Sequence, residues 1–117
     1  MFKIDKFNTI ELTRGDSAVI ELSLDAYFDD GRKHCYRPQI GDEIILTVRA
    51  TRDCSDKILF QKSLREKSYF LIDPKDTRHL ETGNYYYDIQ LTTADKDVFT
   101  VVPLSKFKIL REVCDNA

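Results

Sequence analysis

Three segments of the chain place an apolar residue at every second position, namely residues 18–24, 44–50 and 85–91. Because successive side chains of a strand point to opposite faces of a sheet, this period of two predicts three half-buried β-strands. In the second segment the phase places Ala50 inward, and Thr47 and Arg49 outward. The other inward positions form a predicted core: Ile20, Leu22, Leu24, Leu46, Val48, Tyr87, Ile89 and Leu91.

Shorter apolar runs, separated by turn residues, predict further strands at 10–13, 58–60, 69–72, 98–102 and 107–109. The 98–102 strand is expected to pair with the 85–91 strand as a hairpin, and Pro103 to interrupt that ladder because proline has no N–H group. Residues 26–42, which contain Asp-Asp-Gly, Pro38 and Gly41, are predicted to form a loop.

One short helix is predicted after the 69–72 strand. Asp73 suits the capping position, Pro74 the first helical position, and Asp76 the positive end of the helix. The pattern ends at Gly83, so that at most two helical turns form. The sequence therefore predicts an all-β protein with one helical turn, folded as a single domain over residues 1–117.

The most specific structural signal is the segment that leads from this helix into the 85–91 strand. Gly83 followed by Tyr85 resembles the tyrosine corner of immunoglobulin-like sandwiches, in which a Tyr hydroxyl bonds to backbone a few residues upstream. We therefore expect the Tyr85 hydroxyl to bond to the backbone of residues 76–82. Tyr87 occupies the place of the core cysteine of antibody domains, and the chain has no Trp. The resemblance is thus to an immunoglobulin-like antiparallel β-sandwich of seven or eight short strands.

A second resemblance lies in the order of several motifs along the chain. They are Gly15-Asp16-Ser17, Gly41-Asp42 before an apolar strand, the segment 73–77, Gly83-Asn84-Tyr85-Tyr86-Tyr87-Asp88-Ile89-Gln90-Leu91, Phe99-Thr100-Val101 and Phe107-Lys108-Ile109. This order is similar to that of small immunoglobulin-like structural proteins encoded by bacteriophages and prophages, often near tail and baseplate genes. The resemblance implies a non-enzymatic structural module of a tail or baseplate assembly, with the virion as an alternative location to the cytoplasm, and it carries over no catalytic residue.

Charge and hydropathy narrow the class of partner. The 18 Lys and Arg residues nearly balance 20 Asp and Glu residues, giving a net charge of −2. Nucleic-acid binders usually have a basic excess, so we expect no nucleic-acid partner. No apolar run has the length of a membrane-spanning helix, and the N-terminus lacks the apolar core of a signal peptide, so we expect a product of the bacterial cytoplasm without membrane insertion.

The chain has three cysteines, Cys35, Cys54 and Cys114. An odd number leaves at least one thiol free, and no pair has the spacing of a metal site. Three reduced thiols are the expectation, and a Cys35–Cys54 disulfide is the alternative that the sequence leaves open.

No catalytic or cofactor constellation is predicted. Adjacent His34 and Cys35 point in opposite directions on an extended chain, so a nucleophile–base pair is not expected. Acidic residues at turns have no EF-hand spacing, and no phosphate-binding glycine loop is present. The tripeptide at 14–16 spells Arg-Gly-Asp, an integrin-recognition sequence, but its position between two strands favours a simple turn.

The function expected from these observations is association with protein, through a second copy or a different partner. The terminal region 97–113 is the predicted edge strand, and the candidate contact residues are Tyr86, Val98 and Val102. The alternative is a small carbohydrate-binding module, in which the loop aromatics Tyr27, Phe28 and Tyr36 stack on a glycan.

Overall fold

A computed structural model describes residues 2–4, 8–22, 25–27, 33–36, 38–53, 57–65, 67 and 69–111 of the chain, with the backbone alone for 2–4, 25–27 and 33–35. Strands make up most of it. They are β1 (Phe2–Ile4), β2 (Ile10–Thr13), β3 (Ala18–Glu21), β4 (Asp25–Tyr27), β5 (Lys33–Cys35), β6 (Glu43–Arg49), β7 (Ile58–Leu64), β8 (Tyr69–Ile72), β9 (Gly83–Thr92) and β10 (Val98–Leu110). The helix α1 (Pro74–Thr77) lies between β8 and β9. The all-β prediction is confirmed.

The strands form one large sheet and two small ones. Six strands lie in the order β1-β2-β10-β9-β6-β7, β3 pairs with β8, and β4 pairs with β5. The sheet is mixed, because β2 runs parallel to the end of β10 while the other pairs are antiparallel. The expectation of a purely antiparallel fold was therefore wrong at this pair. A parallel pair needs a long connection, and here the two strands come from opposite ends of the described chain.

The predicted core is largely confirmed. Ile20, Leu46, Val48, Tyr87, Ile89 and Leu91 are all buried in one apolar cluster, Leu22 packs against it half-buried, and Leu24 lies outside the described residues. Ala18, Ile20, Phe70 and Ile72 bring the β3–β8 sheet into the same cluster as the large sheet. Burial of these side chains is the main force that holds the two sheets together.

The alternating pattern failed at the end of β6. Ala50 was predicted to face inward, but it is exposed just beyond the last strand residue, Arg49. The pairing of β6 with β7 shifts register between Val48 and Arg49, so the inward phase does not continue past Val48. Thr47 was predicted to face outward and is nevertheless buried, with its hydroxyl accepting a hydrogen bond from Gln61 Nε2 at 3.0 Å.

The segment 26–42 is not the simple loop that its turn residues predicted. Residues 25–27 and 33–35 pair as the antiparallel strands β4 and β5. Together with β1, this hairpin raises the strand count in the described part of the chain above the seven or eight expected. Three-residue strands are too short for a period of two to be visible against the surrounding polar residues.

The helix begins where its capping residues predicted. The Asp76 carboxylate accepts a hydrogen bond from the Asp73 N–H at 2.8 Å, and the Asp76 N–H donates to the Asp73 carbonyl at 2.9 Å. Asp76 also forms an ion pair with Lys62 of β7, with 2.6 Å between Nζ and Oδ2. This ion pair fixes the helix against the edge of the large sheet.

The Arg-Gly-Asp tripeptide forms the turn between β2 and β3. Gly15 has a φ of +82°, which only glycine adopts without strain. Its N–H donates to the Thr77 hydroxyl at 2.9 Å, and the Arg14 guanidinium donates to the Leu80 carbonyl at 3.3 Å. The tripeptide is therefore folded back onto the segment that follows α1 rather than projecting as a loop.

Candidate interaction surface

The two halves of β10 have different neighbours. Residues Phe107–Leu110 pair with β2 on one side, and residues 107–109 pair with β9 on the other. Residues 98–106 pair with β9, and no strand of the described chain pairs with their other side. The prediction that 97–113 is an edge was therefore wrong for 107–110. We call residues 98–104 the free half of β10.

The free half of β10 exposes large apolar side chains. Val98 is 58% exposed, Phe99 55% and Leu104 37%, while the predicted contact residue Val102 is half-buried. An unpaired strand edge presents free N–H and C=O groups, and apolar side chains beside them make it a template for another strand. A free edge and exposed apolar side chains thus occur on the same stretch of β10, with Val98 and Phe99 on opposite faces of the strand.

The ladder between β9 and β10 is interrupted around Pro103, as the sequence predicted, and resumes beyond it. β10 continues through Pro103, with register shifts between Thr100 and Val102 and between Val102 and Ser105. Because proline cannot donate a hydrogen bond, the strand skips a pairing there and resumes at Ser105. The shifts separate the free half from the doubly paired half.

A cleft of about 290 Å³ opens beside the free half of β10. It lies between this strand and β3, and core residues form its wall. The lining residues are Asn8, Ile20, Glu21, Leu22, Tyr87, Ile89, Val101 and Val102. The Tyr87 hydroxyl closes its base by donating a hydrogen bond to the Asn8 carbonyl. The cleft therefore reaches the core residues Ile20, Tyr87 and Ile89, which are themselves buried.

Two turns meet at the end of the sheet from which the free half begins. A β-carbon on Gly41 would lie 2.7 Å from the Ala94 β-carbon, so the 38–42 turn and the 93–97 turn are in close contact. Asp42 holds the first turn by accepting hydrogen bonds from the Gln39 N–H at 2.8 Å and from the Tyr36 hydroxyl. That bond, burial and the Asp42 charge together raise the pKa of Tyr36 to about 12.

The loop aromatics proposed for glycan stacking are only partly described. Tyr36 packs half-buried against the core and is hydrogen-bonded to Asp42, which is an anchoring role. Phe28 and the side chain of Tyr27 lie outside the described residues.

Tyr85 and Gly83 have the geometry expected of the corner. The Tyr85 hydroxyl donates to the Glu81 carbonyl at 2.7 Å, within the predicted 76–82 acceptor segment. Burial, together with the charge of Glu81, raises the pKa of Tyr85. Gly83 has a φ of +148°, in the region that favours glycine. The predicted hydrogen bond is confirmed.

Tyr86 lies on the outer face of the large sheet, opposite in direction to its neighbours Tyr85 and Tyr87. It is half-buried, and the Arg52 guanidinium carbon lies 5.3 Å from its ring centroid. Tyr86 is therefore separate from Val98 and Val102: the three predicted contact residues belong to two surfaces.

Catalytic and metal chemistry have few candidates in the described residues. No group of three or more His, Cys, Asp or Glu side chains that could hold a metal ion occurs among them. Cys54, Cys114 and the side chains of His34 and Cys35 lie outside them, and so the question of a Cys35–Cys54 disulfide stays open. No helix in the described ranges is long and apolar enough to cross a membrane.

Neither a protein family model nor a curated protein sequence matches this chain. The surfaces described above therefore have to be interpreted from their own geometry.

Sequence reasoning missed the exposure of Phe99 and Leu104 and the basic neighbours of Tyr86. Phe99 lies opposite the buried Leu91 in the ladder, so periodicity alone assigns it to the core. Among the described strands none pairs with the other side of β10 at Phe99, and this follows from the sheet order, not from the local pattern. The basic residues that surround Tyr86 come from three different strands and loops, and their proximity depends on register.

Proposed function

We propose that this chain is an immunoglobulin-like β-sandwich that works as a non-enzymatic assembly module of a phage or prophage tail or baseplate. It binds an extended strand of a protein partner along the free half of β10. The observation that carries the proposal is the coincidence of an unpaired strand edge, exposed apolar side chains on that strand and a cleft lined by core residues.

The order of the strands supports the immunoglobulin-like part of the proposal. In such sandwiches strands C, F and G share one sheet, a variable-type domain adds C′, and strands B and E lie in the other sheet. Taking β3 as B, β6 as C, β7 as C′, β8 as E, β9 as F and β10 as G matches the order β10-β9-β6-β7 within the large sheet and the β3–β8 pair. The helical turn α1 and the Tyr85 hydrogen bond then lie in the E–F connection, where a tyrosine corner belongs.

The position of the cleft supports strand addition as the binding mode. A partner strand placed beside the free half of β10 would pair with its unpaired backbone groups and cover Val101 and Val102. Main-chain hydrogen bonds would supply affinity, and alternate side chains entering the cleft would supply specificity. The same strand would bury Val98 and Phe99, which are the most exposed apolar residues of β10.

The phage and tail assignment is supported by the order of motifs along the sequence. If the chain belongs to a tail, the partner that binds this edge is another structural protein of the same assembly or a second copy of the chain. A closed symmetric oligomer and a contact with a different tail protein both use the same edge.

Sedimentation velocity tests the proposal across micromolar concentrations, with the chain alone and mixed with each tail or baseplate protein encoded beside its gene. We expect a complex larger than one chain that is lost in Phe99→Lys. Leu71→Lys is the matched control, because Leu71 is 53% exposed but lies on the β3–β8 sheet. It should leave the complex intact.

Two results would overturn the proposal. A complex that survives Phe99→Lys but not Leu71→Lys would place the contact on the other sheet. A chain that stays monomeric, binds none of these proteins and binds a defined oligosaccharide on a glycan array would establish the carbohydrate-binding alternative.

A further inference from the structure

Three cationic side chains surround Tyr86 on the outer face of the large sheet. In the ladders Tyr86 lies directly opposite Arg49 of β6 on one side and Lys106 of β10 on the other. Directly paired residues on one face of a sheet have β-carbons about 4.5–5.5 Å apart. Arg52, from the turn after β6, lies over the Tyr86 ring at 5.3 Å. We call Arg49, Arg52, Tyr86 and Lys106 the basic patch.

The donors of the basic patch are not used within the described chain. The Arg49 Nε atom is buried and has no hydrogen-bond partner there. No carboxylate forms an ion pair with Arg49, Arg52 or Lys106 among the described residues. A buried donor without a partner is unfavourable by about 1–3 kcal/mol, and proteins keep few of them. The patch thus combines cationic side chains with no carboxylate partner among the described residues.

We propose that the basic patch is a binding site for carboxylates, and that its occupant is an acidic segment of a partner protein. A guanidinium presents parallel N–H groups that match the two oxygens of a carboxylate. Arg49 lies opposite the half-buried Tyr86 in the ladder. Arg52 and Lys106 are exposed and add charge at either side of the ring.

Charge on the surrounding surface favours a protein segment over nucleic acid. Asp88 lies two residues along β9 from Tyr86, and Asp53 follows Arg52, so acidic groups border the patch. Lys108, further along β10, lies opposite Glu11 in the ladder and does not extend the patch. With a chain charge of −2, no basic track continues along the face as a phosphate backbone would need. A short run of glutamate or aspartate residues fits a basic patch that is small and bordered by acidic groups.

The basic patch begins close to the end of the free half of β10. Lys106 lies two residues, or roughly 7 Å, beyond Leu104, and Tyr86 lies six positions along β9 from Thr92, the partner of Val98. The inference does not depend on strand addition at β10, and each site has its own variants.

Fluorescence anisotropy with a labelled peptide of alternating glutamate and glycine tests the inference. We expect saturable binding that weakens with added salt and is absent for the matching glutamine–glycine peptide. Arg49→Gln and Lys106→Gln should each weaken binding about tenfold, the effect of losing one charge-assisted hydrogen bond. Arg49→Lys keeps the charge without the planar fork and should give an intermediate affinity. Lys106 is exposed, so its variant keeps the test valid if Arg49→Gln fails to fold.

Two controls separate the site from general charge effects. Arg78→Gln removes an exposed arginine beside α1 and should leave the affinity unchanged, as should Phe99→Lys in the free half of β10. The inference is overturned if Arg78→Gln weakens binding as much as Arg49→Gln, or if the peptide does not bind. It is also overturned if a single-stranded oligonucleotide or inorganic phosphate competes better than free acidic peptide. Loss of self-association in Lys106→Gln would assign the patch to a second copy instead.

Discussion

The two halves of β10 are built from similar residues but have opposite environments. Phe107 is fully buried, with ring contacts to Tyr87 and Phe60 at centroid distances of 6.1 Å, whereas Phe99 in the same strand is 55% exposed. The difference is that β2 covers the second half and no described strand covers the first. Exposure on this strand is therefore determined by sheet neighbours and not by residue type, which leaves the free half of β10 available for contact.

The largest expected effect separates the two phenylalanines. Phe107→Ala should lower the free energy of unfolding by about 3–5 kcal/mol, because it leaves a cavity among packed rings. Phe99→Ala should change it by less than about 0.5 kcal/mol, as for other surface positions. Urea denaturation followed by tyrosine fluorescence measures both. Equal costs would mean that the free half is covered within the chain.

Substitutions at two glycines test the contact between the 38–42 turn and the 93–97 turn, from which the free half of β10 begins. Gly41 and Gly15 both have positive φ, but only at Gly41 would a β-carbon collide with Ala94. Gly15→Ala should cost about 1–2 kcal/mol for the backbone conformation alone. Gly41→Ala should cost about 2–4 kcal/mol, because overpacking adds to the strain. Thermal unfolding of the two variants measures the difference, and the same loss in both would show that the turns are not in contact.

Much of the buried core, and the start of α1, could be predicted from the sequence. The alternation that assigned Tyr87 and Ile89 to the core depends only on the two-residue period of a strand, and the start of α1 depends on local capping by Asp73 and Asp76. Both are properties of neighbouring residues. Burial predicted from alternation is correct where a strand is long and one of its faces is covered.

The free half could not be predicted in the same way. Its exposure follows from which strand lies beside it, and that is a long-range property. Periodicity assigns Phe99 to the same face as Leu91, and this assignment is right about the face but wrong about burial. The patch around Tyr86 has the same origin, since Arg49 and Lys106 are 57 positions apart and meet only through register. Short strands such as β4 carry too few residues for any pattern.

A smaller effect is expected at the corner beside the doubly paired half. Tyr85 lies opposite Phe107, and its hydroxyl bonds to the Glu81 carbonyl. Tyr85→Phe should lower the free energy of unfolding by about 1 kcal/mol, the usual net value of one hydrogen bond. Tyr69→Phe is the matched control, because the exposed Tyr69 hydroxyl has no partner in the described chain, and it should be neutral. Chemical denaturation of both variants distinguishes them. A neutral Tyr85→Phe would remove the corner from the elements that stabilise this half.

The smallest effect on stability is expected only at alkaline pH. It concerns the end of the large sheet where the free half of β10 begins. The hydrogen bond to Asp42, burial and the Asp42 charge favour the neutral Tyr36 side chain in the folded state and raise its pKa to about 12, against about 10 in the unfolded chain. The stabilisation is therefore fully present below pH 10 and is lost as the pH rises through about 12. The stability gap between the wild type and Tyr36→Phe should narrow over that window, while the gap for Tyr85→Phe changes less. Amide exchange should report loosening at residues 39–42 and 93–97 before residues 107–110. Simultaneous loosening of both regions would show that the two halves of β10 unfold as one unit.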